Sequence, residues 1–157
     1  YEFYHTTIAN YWTTSTRNTP SLLLNNYDKD NQERELKKAQ FNNCIIYGNN
    51  VYELGFDSLK PSEAMNYKFE HCLIKTGQET QTPGSNYNNI IENESPGFIS
   101  IEDGNFKLDT LSTAIDTGDV QTGEIYPKDI LNNSRNSDKA PDLGAYEYIP
   151  GTGKQND

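Results

Sequence analysis

The chain has 157 residues and a formal net charge of −10, with 33% hydrophobic and 11% aromatic residues. That length suits one domain, and the charge opposes both a phosphate backbone, which needs clustered Lys and Arg, and an anionic membrane surface. No stretch is apolar for long enough to cross a bilayer as a helix. Asn makes up about 12% of the chain; it tolerates left-handed backbone and so implies many bends.

Residues 1–12 contain Phe3-Tyr4-His5-Thr6-Thr7-Ile8, the first of three similar units; the others are Phe41-Asn42-Asn43-Cys44-Ile45-Ile46 and Phe69-Glu70-His71-Cys72-Leu73-Ile74. Each is a Phe, two polar residues, a small residue and a pair ending in Ile. The Phe residues are 38 and 28 apart (41 − 3 and 69 − 41), a period that points to a repeat architecture. Thr13 to Pro20 is a polar turn. Ser21 to Tyr27 is a short apolar run suited to a buried strand. Asp28 to Lys38 is nearly all charged, with only Leu36 as anchor, and reads as a solvated excursion.

In the second unit Phe41, Cys44 and Ile46 point inward, Asn42-Asn43 bends the chain, and Ile45 and Tyr47 point outward by strand alternation. Val51 to Phe56 reads as another strand, 57–66 as a loop, and Tyr67 to Lys75 as the third unit, with Phe69, Cys72 and Ile74 inward. The order strand, turn, strand, bend, strand leaves no room for crossover helices. Three-sided coils stacked as a solenoid are therefore expected over 1–94, with loop insertions at about 28–38 and 57–66. Asn89 to Glu92 is a further short strand. Pro96 to Leu108 is a hairpin turning at Asp103-Gly104. Ser112 to Asp119 is a tight segment, 121–141 a loop, Asp142 to Tyr148 a last strand, and 149–157 a flexible tail.

The series Pro96-Gly97-Phe98, Asn105-Phe106-Lys107-Leu108, Ser112-Thr113-Ala114-Ile115-Asp116-Thr117-Gly118 and Pro141-Asp142-Leu143-Gly144-Ala145-Tyr146-Glu147-Tyr148 resembles, in order and spacing, the C-terminal end of secreted bacterial right-handed parallel β-helix proteins of the Bacteroidetes type, pectate-lyase-like in fold. The repeats before it resemble that family's last full coils. The resemblance implies an all-β right-handed parallel β-helix, with 95–148 as the capping segment that closes the open edge of the stack. Asp116 and Asp142 would fix that cap through backbone N–H groups, with Arg135 pairing one of them. The chain begins inside a repeat unit and carries no signal peptide. It therefore reads as a C-terminal or processed piece of an exported protein, extracellular, periplasmic or on the cell surface.

Among candidate functional residues, the outward aromatics Trp12, Tyr47, Tyr52 and Tyr67 point to stacking on sugar rings, or else to cover over a thin sheet. Asp116 and Asp119 are the candidate ligands for a Ca²⁺ ion, in a segment that lacks the ligand ladder of an EF-hand. Cys44 and Cys72 occupy the same repeat position, either as a reduced inward pair or as a disulfide. His5 and His71 are polar residues at bends. No two carboxylates are picked out for glycoside hydrolysis, and Arg17, Arg34 and Arg135 are scattered rather than gathered for a lyase. The expected function is a structural module that binds a polysaccharide or surface glycan without catalysis. The alternatives are the end of a polysaccharide lyase or glycoside hydrolase, and a purely structural or protein-interaction domain.

Overall fold

In Ala39-Gln40-Phe41-Asn42 the first and third residues are fully buried, as alternation in a strand with one face on a core requires. A computed structural model describes residues 1–60, 65–82 and 86–151. In chain order the strands are β1 (Glu2–Tyr4), β2 (Thr7–Asn10), β3 (Leu22–Asn25), β4 (Ala39–Asn42), β5 (Ile45–Gly48), β6 (Leu54–Asp57), β7 (Tyr67–Ile74), β8 (Tyr87–Glu92), β9 (Phe98–Ser100) and β10 (Asn105–Leu108), followed by the helix α1 (Val120–Ile125).

The three similar units pair in parallel and in register. Phe3 lies beside Phe41 and Phe41 beside Phe69, while Ile8 lies beside Ile46 and Ile46 beside Ile74. Together with β8 these strands make one six-stranded sheet of order β1-β4-β7-β5-β2, with β8 on β7. The sheet bends along a line of residues with left-handed backbone: His5 (φ 47°), Asn43 (φ 53°), His71 (φ 47°) and Asn89 (φ 52°). Asn suits that conformation because its short amide can bond locally. Here the side chains also bond one another: Asn43 Nδ2 lies 3.3 Å from His5 Nε2, and Asn89 Nδ2 2.9 Å from His71 Nε2.

The expected right-handed β-helix is not what forms, although the all-β class holds. Among the described residues parallel pairing is confined to this bent sheet and to the two-stranded ladder β3·β6. Among the described residues the third side of a coil exists at two levels, β3 and β6, and the charged excursion 28–38 supplies no apolar strand. After Glu92 the pairing turns antiparallel in the hairpin β9·β10. No long solenoid stack follows. Two further expectations fail nearby. The segment 121–141 opens with α1 rather than a loop, and 142–148 is not a strand. Gly144 breaks it at φ +85°, and a Cβ there would lie 2.5 Å from Thr7 Oγ1. Residues 61–64 of the expected 57–66 loop and 152–157 of the expected tail lie outside the described residues.

Two cores result. One lies inside the bend, where Phe41, Cys44, Ile46, Phe69, Cys72 and Ile74 are all fully buried. Its spine is a column of rings: Phe3–Phe41 at 4.8 Å, Phe41–Phe69 at 4.6 Å and Phe69–Tyr87 at 5.5 Å. Each such pair adds about 1 kcal/mol beyond burial. The second core lies on the outer face, where Ile45 and Leu73 pack against Phe98, Leu108, Ala114 and Leu143. The segment expected to close an open edge thus supplies a second core on a sheet face.

Candidate functional site

The polar residues that hold this second layer are consumed in doing so. Arg135, 2% exposed, pairs with Glu147 at 3.0 Å and donates to the carbonyls of Asp142 and Gly144. It does not pair with Asp116 or with the Asp142 carboxylate. Asp142 accepts from the backbone N–H groups of Asp116 and Tyr148, the role expected of it. Burial raises its pKa to about 6. The Asp116 carboxylate accepts from Ala140 N at 3.4 Å. Asp119 caps α1, accepting from Thr122 N at 2.8 Å and Thr122 Oγ1 at 2.7 Å. Burial opposes its ionisation, but the Thr122 bonds outweigh that and hold its pKa low. Asp116 and Asp119 are thus engaged separately. Among the described residues no group of three or more His, Cys, Asp or Glu side chains is placed to hold a metal ion.

His5 is buried where the two layers meet. Its Nδ1 lies 3.3 Å from the carbonyl of Asp142. A carbonyl only accepts, so Nδ1 carries the proton, and Nε2 is left to accept from Asn43. Burial, reinforced by the Arg135 guanidinium, holds the ring's pKa down at about 4. Asn43 completes the junction: it accepts from Asp119 N at 2.7 Å through Oδ1 and donates to Asp119 O at 3.1 Å.

Of the four aromatics expected to face a glycan, the structure spends two elsewhere. Tyr67 lies in the first core, 4.6 Å from Phe56 and 6.0 Å from Tyr87 between ring centroids. Tyr47 packs against the second core, its ring lies 5.2 Å from Lys75 Nζ, and its hydroxyl donates to Asn93 O. The remaining two, Trp12 and Tyr52, are each 55% exposed. They stand on consecutive turns, 11–20 after β2 and 49–53 after β5, which the chain stacks as it stacks the strands.

The two turns are cross-linked. Asn49 donates through its backbone to Asn10 O and through its side chain to Trp12 O, each at 3.1 Å. Asn50 Nδ2 donates to Thr19 O at 2.7 Å. Beneath them lies a bidentate ion pair, with Arg17 Nη2 2.5 Å from Glu53 Oε1 and Arg17 Nη1 2.9 Å from Glu53 Oε2. Glu53 is fully buried and also accepts from Ser21 N, Ser21 Oγ and Asn50 N. Burial alone would raise its pKa, but the bonds from Arg17, Ser21 and Asn50 lower it. The pair is therefore ionised and mutually neutral. Gly48 makes room for it, since a Cβ there would lie 2.3 Å from Glu53 Oε1.

Two adjoining grooves open on this floor. One, of about 420 Å³, is lined by Asn10, Trp12, Ser15, Thr16, Arg17, Asn18 and Thr19. The other, of about 390 Å³, runs from Arg17 and Asn18 to Asn50, Val51 and Tyr52. Each lies within the usual size range of small-ligand sites. Trp12 is fixed by its indole N–H, which donates to Ser15 Oγ at 2.9 Å. Tyr52 is seated against Gly77, where a Cβ would meet its ring at 2.7 Å. Arg17, which counts in the sequence only as one of three scattered arginines, is the centre of the site. Its partner Glu53 leaves only a hint in the sequence: the two sit 14 and 12 residues after Phe3 and Phe41 (17 − 3 and 53 − 41), in corresponding turns of successive units. Compared with protein-family models, curated proteins and solved structures, the chain gives no match.

Proposed function

We propose that the chain is a non-catalytic module that binds a neutral glycan along the paired grooves between Trp12 and Tyr52. The observation that carries this reading is the character of the lining. Two exposed rings flank amides and hydroxyls, and among the described residues the only charge in either lining, Arg17, is cancelled by Glu53. Sugar rings present apolar faces to aromatic side chains and hydroxyls to amides. An anionic sugar would meet no uncompensated cation here and would be repelled by a chain of net charge −10. The one acid at the grooves, Glu53, has both oxygens committed to Arg17, Ser21 and Asn50, which suits a structural role rather than general acid–base work. An extracellular or cell-surface setting, where such glycans are met, fits this reading.

Trp12 is the only tryptophan in the chain, so intrinsic fluorescence reports on this site alone. Titration with neutral gluco-, xylo-, manno- and galacto-oligosaccharides is expected to shift or quench it with at least one series. Oligogalacturonates are expected to act more weakly. Tyr52→Ala is expected to weaken the response about tenfold, the scale of one lost ring contact. A flat signal across the panel, or equal affinity in Tyr52→Ala, overturns the proposal.

A further inference from the structure

Among the described residues three strands have a partner on one side only: β1 pairs with β4 and β2 with β5 at the end of the six-stranded sheet farthest from β8, and β3 pairs with β6 in the separate two-stranded ladder. The bonds that are made fix which groups face outward. Gln40 N donates to Tyr1 O and His5 N to Asn42 O, so odd residues of β1 face β4. Ile45 N donates to Thr6 O and Leu22 N to Glu53 O, so even residues of β2 and β3 face their partners. By the alternation of a parallel ladder, the backbone groups of Glu2, Tyr4, Thr7, Ala9, Leu23 and Asn25 point away from the sheet. Among the described residues these N–H groups have no acceptor, and of the carbonyls only that of Tyr4 is engaged, by the Thr6 hydroxyl.

Between these edges the first core is open. A cavity of about 420 Å³ is lined by Phe3, Leu22, Leu24, Leu36, Ala39 and Phe41. The ring column ends there, with one face of Phe3 on Phe41 and the other toward the opening. Leu23 stands on the rim, 48% exposed.

We propose that this edge is a docking site for an extended peptide segment, which adds to the sheet as a strand–bend–strand unit parallel to β1 and β2. The chemistry of the occupant follows from what it must satisfy. It supplies main-chain N–H and C=O groups at strand spacing, as in β-strand addition. It places an aromatic or large apolar residue over Phe3, continuing the column. It turns beside His5 through a residue that accepts left-handed backbone, Asn or His as at the four levels of the sheet along this line. The interface is the continuation of the β1·β4 and β2·β5 pairings already present. A second copy of the chain is the poorer occupant, because it brings its own net charge of −10 against the same sign.

The test uses the whole chain and a synthetic peptide with the sequence of residues 39–48 carrying Cys44→Ser, a stretch that pairs in parallel on both of its own edges. Amide hydrogen exchange is followed by NMR. The peptide is expected to slow Glu2, Tyr4, Thr7 and Ala9 about tenfold or more at saturation, and to leave Ile8, already paired, unchanged. Ala9→Pro removes one outward N–H without touching the β2·β5 ladder, a substitution an edge strand tolerates. It is expected to abolish the slowing at Thr7 while Ile8 stays protected. The proposal is overturned if the peptide slows none of the four amides or if Ala9→Pro leaves the slowing intact. It is equally overturned if the chain alone is a dimer in light scattering with these amides already protected, since a second copy then covers the edge.

Discussion

His5 makes stability depend on pH in a way that one substitution can isolate. The ring is 7% exposed, neutral, and bonded through Nδ1 to the carbonyl of Asp142. Its pKa in the folded chain is about 4 against the ordinary 6.5. Because the folded value is depressed, the unfolded chain takes up a proton below pH 6.5 that the folded chain refuses until about pH 4. The stabilisation is complete above pH 6.5, is lost as pH falls through that window, and is gone below pH 4. At 1.36 kcal/mol per unit, a depression of about 2.5 units corresponds to about 3 kcal/mol. His5→Asn is the informative change, because Asn already holds the same left-handed position at Asn43 and Asn89. Asp142, whose pKa is raised to about 6, and Glu147, pushed upward by its burial, also titrate in the fold, but they do so in both proteins and cancel in the comparison. Urea unfolding of the two proteins from pH 7.5 to 4 should show wild type losing about 3 kcal/mol relative to His5→Asn between pH 6.5 and 4. A difference that stays constant across that range would refute the burial and tautomer assigned to His5.

Three further outcomes are expected. Glu53→Ala leaves the half-buried Arg17 without its counter-charge and takes the acceptor from Ser21 N and Asn50 N; it should cost about 1–3 kcal/mol in urea unfolding, while also abolishing the Trp12 fluorescence response to glycan. Asn43→Ala places a less suited residue at φ 53° and removes both bonds to Asp119. It should cost about 3 kcal/mol and lower the urea midpoint at unchanged slope. Cys44 and Cys72 are buried free thiols that donate to backbone carbonyls, and burial pushes the Cys72 thiol up. Neither should react with a thiol reagent in the native chain, and both should react in urea without prior reduction; no reaction in urea would mean a disulfide.

Much of the sheet was legible because the signal was local and repeated. Phe3, Phe41 and Phe69 sit at equivalent places in three units, and strand alternation then sends Cys44, Ile46, Cys72 and Ile74 to the same core. The bends at His5, Asn43 and His71 were legible for the same reason. The solenoid was not earned by that signal. Three units specify a sheet, but a long stack needs the apolar period to continue past Glu92, and it does not. The outer core was hidden by reading Ile45 as simply outward; Leu73, at the same position of the third unit, packs beside it. Apolar residues on both phases of a strand mark a sheet covered on both faces, and that pattern was present. It would also have removed Tyr47 from the glycan-facing set, since Tyr47 shares their phase. Helix α1 left little trace: its six residues include Gly123 and show no apolar period, and only Asp119 followed by Thr122 marks its start. The pairing of Arg17 with Glu53 depends on which turns stack, a fact of tertiary structure that spacing alone only hinted at.

A neutral glycan held in the grooves between Trp12 and Tyr52 would perturb the residues that line them. The most direct measurement is an NMR titration of the isotope-labelled chain with the neutral oligosaccharides, read residue by residue. Shifts are expected only at the Trp12 indole, Asn10, Asn18, Asn50 and Tyr52, with Tyr47 and Tyr67 unmoved because their rings are packed. No shift with any neutral oligosaccharide, or shifts centred elsewhere on the molecule, would contradict it.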